Sequence, residues 1–262
     1  MAARLGHNDN GYQPHQKELM YPSAPDAAPR SPVVGTSSPL VRASPLVSAR
    51  DLHVHYPETH VLHDISVDLA PGTFAAVTGP NGSGKSTLVE TLAGVRTPTS
   101  GRVDRTGTVA FVAQNPEAPA GLPLTALDAV RIGTRRGPFG LRASARGESA
   151  RRGSARRGSG TAAALEALAR VGMDALARRP ITALSGGQRQ RVFLAQGLVQ
   201  EADLLVLDEA GTGLDADSRA TVRSLLGEEA HARGAAVLLV THDEEDVRAA
   251  DAVWRLDGRL VA

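Results

Sequence analysis

Apolar and polar positions begin to alternate at Ala49, and Leu52, Val54 and Tyr56 mark an extended segment, the period-two pattern of a half-buried strand. Residues 61–69 and 74–78 follow, each bounded by Pro or Gly, and are predicted strands as well. Beyond them the period lengthens. Leu88 and Leu92 lie one helical turn apart, and Ala163, Leu165 and Leu168 repeat at helical spacing over 162–171 before Gly172, a stop signal. Two later segments, 204–207 and 236–240, are apolar at every position and flank a polar, helix-like stretch. A strand with no polar side is covered on both faces, so this βαβ alternation predicts an α/β fold with a parallel sheet between helices. Sheets of that kind hold their ligands at the carboxyl ends of the strands.

Two stretches lack periodicity. Residues 1–47 are rich in Pro, Ser, Ala and His and repeat SPLV at 38–41 and 44–47; they are expected to be a disordered tail. Residues 134–160 hold eight arginines against the single acid Glu148, and are expected to be a solvated, flexible insertion. The remaining chain, 48–262, is expected to form one domain. Its apolar content of 42% supports a sizeable core, and an aromatic content of 3% means that core is built from Leu, Val and Ala. A formal charge of +1 gives the chain no nucleic-acid footprint. The absence of cysteine excludes disulfides and thiolate chemistry. No secretory h-region and no run of membrane-spanning length is present. Lysine occurs only at Lys17 and Lys85 in a chain otherwise rich in arginine, which draws attention to Lys85.

Lys85 stands in Gly79-Pro80-Asn81-Gly82-Ser83-Gly84-Lys85-Ser86-Thr87, which fits G-x-x-x-x-G-K-[ST] between a predicted strand and a predicted helix. In such a loop the glycines let backbone N–H groups curl around phosphates and the helix start adds positive potential. Lys85 then reaches the β and γ oxygens while the Ser86 hydroxyl meets Mg²⁺. The pattern predicts a nucleoside-triphosphate site without selecting among kinases, GTPases, helicases and transport ATPases, which share it.

A second anion-binding helix start is predicted at Leu184-Ser185-Gly186-Gly187-Gln188, where Ser185 and Gln188 make an S-x-x-Q capping box before a helix carrying Val192, Ala195 and Leu198 on one face. Here the sequence resembles the ABC ATPase family, whose signature is LSGGQ, and the resemblance runs from about Ser48 to the C-terminus. It implies an ABC-type P-loop fold with a RecA-like parallel core, an antiparallel β edge and a helical subdomain over about 115–183. It further implies ATP and Mg²⁺ as ligands, with Tyr56 against adenine, Gln114 as the Q-loop glutamine that also meets Mg²⁺, Asp208 as a Mg²⁺ ligand and Glu209 as the base. Thr212 to Asp215 are similar to the D-loop, and His242 is similar to the switch histidine. In that family two copies pair head to tail, so that each ATP lies between the P-loop of one and Ser185 to Gln188 of the other. One departure stands out: Ala210-Gly211 occupies the place where the family usually has Pro-Thr, which is expected to loosen the backbone.

A single domain of this size, without tandem duplication or coiled coil, is similar to transporter subunits. That implies a separate integral membrane permease, an extracytoplasmic solute-binding protein and a place on the cytoplasmic face of the membrane. The wording of 122–133 and 167–209 resembles the zinc, manganese and iron import group, with other small-solute importers, exporters and non-transport ABC ATPases as alternatives. His53, His55, His60 and His63 alternate around a strand and are expected to be surface residues rather than metal ligands.

Overall fold

The computed structural model of the chain describes residues 44–56, 59–114, 124–134, 141–142 and 160–261. The tail expected over 1–47 and the insertion expected over 134–160 therefore lie outside the described residues except for 44–47, 134, 141–142 and 160.

Strand β1 (Val47–Tyr56) pairs antiparallel with β2 (Thr59–Leu69) on one side and with β4 (Ser100–Arg105) on the other. Pairing thus starts at Val47, two residues before Ala49, where the alternating sequence pattern begins, because Val47 fills a core position at 2% exposure. Burial along β1 passes from Val47 and Ala49 to Leu52 and Val54. A strict period of two cannot make that step from odd to even positions. It is made by a bulge between Ala49 and Leu52, where Asp51 takes a left-handed φ of 48°.

The second sheet runs β10-β9-β3-β8-β7-β5-β6. Strands β3 (Phe74–Thr78), β5 (Thr108–Val112), β7 (Leu204–Asp208), β8 (Ala236–Val240) and β9 (Ala252–Leu256) are parallel. The edges are antiparallel two-residue strands, β6 (Leu141–Arg142) and β10 (Leu260–Val261). Strand β6 falls inside the stretch expected to be irregular, and it satisfies backbone groups that the edge of β5 leaves open.

The apolar strands are buried on both faces. From β8, Ala236, Leu238 and Val240 join a core with the antiparallel sheet and helix α1 (Lys85–Ala93), while Val237 and Leu239 join the core under the remaining helices. In that second core α2 (Ala126–Thr134), α3 (Gly160–Arg170) and α4 (Gly186–Leu198) pack through Ala129, Val130, Ala164, Leu168, Val192 and Ala195. Helix α5 (Ala216–Gly227) continues as a π-helical turn, Glu228–Ala232, in which the buried Glu229 accepts 2.8 Å from Arg170 Nη1 and is also bound by Arg233. That contact ties α3 to the end of α5 on the same face of the sheet.

In the order β3-β8-β7, Val77 pairs with Val240, and Val240 pairs with Asp208. Three strands consequently end at one level, and the segments that leave them emerge side by side.

Candidate functional site

Gly79 leaves β3 with φ 148°, and a Cβ built there would stand 2.0 Å from the Leu256 carbonyl oxygen, so no side chain fits. Gly82, at φ 81°, has open space where its Cβ would be. A loop closed behind and open in front presents its backbone outward. Pro80, Asn81 and Gly82 are exposed. Gly84 precedes α1 without any side-chain cap, leaving the first N–H groups of the helix for a ligand. Lys85 is 6% exposed, and its Nζ donates to the carbonyls of Gly79 (3.0 Å) and Pro80 (2.8 Å), which holds the ammonium across the mouth of the loop. Ser83 Oγ is buried with no hydrogen-bond partner. Thr87 lies on the packed side of α1, 9% exposed, its carbonyl accepting from the Thr91 hydroxyl at 2.6 Å.

At the end of β7, Asp208 is 5% exposed, hydrogen-bonds to the Ser86 side chain, and keeps Oδ1 buried and unpartnered. Burial raises its carboxyl above the usual range, a shift that Glu209 and Glu90 reinforce and that Ser86 and Lys85 oppose. A buried carboxylate oxygen without a donor beside a hydroxyl fits a hard divalent cation such as Mg²⁺, which prefers oxygen ligands. A carboxyl whose pKa rises on folding adds stability below its unfolded pKa, and that contribution is lost as pH rises through the folded value. At neutral pH the charge on Asp208 therefore works against the metal-free fold. Asp208→Asn should melt higher than the wild type in Mg²⁺-free buffer at pH 7, each kcal/mol being worth about 2–4 °C for a domain of this size. The gap should close in acid, and a variant that melts lower throughout would contradict the assignment of the penalty.

Glu209 follows with φ 53°, a left-handed backbone uncommon outside glycine. Three side chains meet its carboxylate, two of them, Gln114 and His242, from distant parts of the chain. Gln114 Nε2 donates to Oε2 at 2.5 Å, Thr212 Oγ1 donates to the same oxygen at 3.2 Å, and His242 Nε2 lies 3.2 Å from Oε1. The predicted residues Gln114, Glu209 and His242 are thus brought together, with the Gln114 amide engaged by the Glu209 carboxylate. At the Ala210-Gly211 departure, Thr212 N–H donates to the Glu209 carbonyl (3.1 Å), Leu214 N–H to that of Gly211 (3.3 Å), and Ala210 is 1% exposed. These bonds hold the segment where a looser backbone was expected.

Sequence reasoning missed the support for His242. Thr241, before it, donates to Asp246 Oδ2 at 2.8 Å, and Arg223 of α5 donates to Asp246 Oδ1 at 2.7 Å. Asp243 caps α6 (Glu244–Ala249) by accepting from Glu245 N–H, and it is also paired with Arg219 at 3.2 Å. The only sequence signal was a cluster of acids after Thr241, which reads as an ordinary helix start.

The predicted capping box is present. Ser185 Oγ accepts from Gln188 N–H at 3.2 Å, and Gln188 Oε1 accepts from Ser185 N–H at 3.0 Å. Ser185, Gly186, Gly187 and Gln188 line a cleft of about 840 Å³ together with Gln114, Thr212 and Asp215. Asp215 caps α5, accepting from Ser218 N–H at 2.7 Å, and that bond, ahead of Arg191 and Arg219, holds its carboxyl below the usual range. No residue of 79–87 lines this cleft. Tyr56 ends β1 40% exposed, with the Arg96 guanidinium 5.0 Å from its ring centroid.

Residues 62–212 match the model of the ABC transporter family. The chain is 38% identical over 207 residues to the zinc import ATP-binding protein ZnuC of Cereibacter sphaeroides, covering 78% of this chain and 76% of that protein. It is 35% identical over 205 residues to the manganese transport system ATP-binding protein MntB of Bacillus subtilis, covering 75% and 77%. The dimeric post-hydrolysis structure of the ATP-binding cassette MJ0796 bound to ADP and Pi superposes with a TM-score of 0.70 at 25% identity, over 82% of this chain and 97% of that one. With the P-loop, the acids at the end of β7 and the capped signature helix in family order, the chain belongs to the ABC transporter family as an ATP-binding subunit and ATPase.

Proposed function

We propose that the chain binds Mg·ATP between two copies arranged head to tail and uses its hydrolysis to drive a zinc- or manganese-type ion through a separate membrane-spanning partner. The carrying observation is that two helix starts suited to anions, at Gly84 and at Ser185, lie apart, the cleft at Ser185–Gln188 being lined by no residue of 79–87. One nucleotide needs both only if a second copy supplies the other half. In this reading Tyr56 stacks on adenine, residues 79–87 hold the phosphates, and Ser185, Gly186, Gly187 and Gln188 close on the γ-phosphate from the opposite copy. Mg²⁺, held by Ser86 and Asp208 with Gln114 nearby, would neutralise charge on the β and γ oxygens. Glu209 accepts a proton from the attacking water, and His242 and Gln114 fix the orientation of its carboxylate. Asp215 belongs to the contact between copies.

The choice of solute rests on the relatives' names, which include both zinc and manganese systems. Among the described residues no helix is long and apolar enough to cross a membrane. An integral permease and an extracytoplasmic solute-binding protein complete the proposed system, with this chain peripheral on the cytoplasmic face. Cells lacking the chain should lose most high-affinity zinc or manganese uptake, and wild-type protein, but not Glu209→Gln, should restore it. Unchanged uptake of both ions alongside lost uptake of another solute would reassign the cargo and keep the ATPase reading.

A further inference from the structure

The four histidines expected on a solvated face are not spread along it. His53 and His55 alternate along β1 with the buried Leu52 and Val54 and face away from them. Continuing the register of Val54 with Leu62 would place Val61 opposite His55; instead the ladder slips by one residue and pairs His55 with His60. Such a bulge turns a side chain onto the other face of its strand, and here it delivers His60 to the face of His55. The consequence is a packed cluster. His53 Nδ1 stands 3.3 Å from His60 Nε2, the His55 and His60 rings stack with centroids 3.4 Å apart, and His63 approaches the same ring at 3.5 Å. One ring nitrogen from each of His53, His55 and His60 lies within 4.8 Å of the others.

Two nitrogens bound to one tetrahedral zinc ion at about 2.0–2.1 Å stand about 3.3–3.4 Å apart. The His53–His60 spacing already has that value, and His55 offers a ring nitrogen within 4.8 Å of both. We propose that His53, His55 and His60 form a binding site for a divalent transition-metal ion of the zinc class, separate from the phosphate site. Imidazole ligands select zinc, copper or nickel over Mg²⁺ and Ca²⁺, so the ion that accompanies ATP does not compete. His63 or water supplies the fourth position. The proposal holds whatever solute the transporter carries. Its interest lies in position: Tyr56, the proposed adenine contact, directly follows His55, and a bound ion would cross-link β1 to β2 at that point.

The experiment is a Zn²⁺ titration of the full chain, without a histidine tag or nucleotide, in competition with a chromophoric chelator. Because other histidines are present, the readout is a difference. His55→Ala/His60→Ala should lose one equivalent of zinc, or bind it more weakly by at least about 10- to 100-fold, the range already seen for weaker, outer-sphere lesions. A second variant, His60→Cys, should retain the site and add a thiolate-to-metal charge-transfer band on loading with Co²⁺, and this stands even if the double variant fails to fold. Equal stoichiometry and affinity in wild type and a folded double variant would show that the 3.3 Å spacing is a hydrogen bond only. Absence of the thiolate band would overturn the proposal equally.

Discussion

Glu209→Gln should lower the turnover of ATP by roughly 10²- to 10⁴-fold, the usual worth of a general base, while leaving Mg·ATP affinity within a few-fold. Affinity survives because the residues proposed to face phosphate, 79–87, are shaped independently of Glu209; their conformation is set by the close approach of Gly79 to Leu256 and by the bonds of Lys85. The glutamine amide can still accept from Thr212, so the turn through Ala210 and Gly211 is kept. What the variant loses is the oxygen charge that Gln114 and His242 hold from two sides. Single-turnover hydrolysis, measured beside nucleotide binding, separates the two effects. A variant that hydrolyses at the wild-type rate removes Glu209 from the mechanism, and one that fails to bind shows that the carboxylate shapes the loop.

The parts of this site that sequence reveals are the local ones. Strand, glycine loop and helix follow one another within 74–93, and the Ser185–Gln188 box closes over three residues, so spacing alone predicts both. Gln114 and Glu209 are 95 residues apart, and their meeting depends on β5 and β7 being neighbours with level ends. Nothing in either segment encodes that neighbour relation; only the family resemblance placed both residues at one site. Bulges were illegible for a related reason. A slip of one residue at Asp51 or between Val54 and His55 costs the period-two pattern little, yet it reverses which face each later side chain occupies. His53, His55 and His60 read in the sequence as separate surface residues, and the slip is what brings them together. Likewise, Asp246 and Arg223 look like surface charges in sequence, although Asp246 is 6% exposed and braces Thr241 beside His242.

Mixing two inactive variants should restore ATPase activity if the nucleotide lies between copies. Lys85→Ala removes the ammonium now held over the Gly79 and Pro80 carbonyls, the charge proposed to engage the β and γ phosphates. Ser185→Arg fills the space before the exposed start of α4 and also removes the capping hydroxyl, at a cost of about 1 kcal/mol to that helix. Each homodimer repeats its lesion at both sites and should be inactive. In a heterodimer, one site joins the intact P-loop of the Ser185→Arg chain to the intact signature of the Lys85→Ala chain, while the other site carries both lesions. Activity should therefore rise from near zero to a maximum near equal mixing, with up to half of all dimers holding one whole site if the chains pair at random. Circular dichroism on each variant guards against loss of the α4 cap being mistaken for loss of function. If crosslinking proves that heterodimers form and no activity returns at any ratio, then either each chain completes its own site or neither site fires without its twin. Nucleotide trapping distinguishes these two outcomes: one ATP held per heterodimer supports the shared site with obligatory pairing of the two events, whereas ATP held by Ser185→Arg homodimers as tightly as by wild type means that the signature of the opposite copy does not hold it.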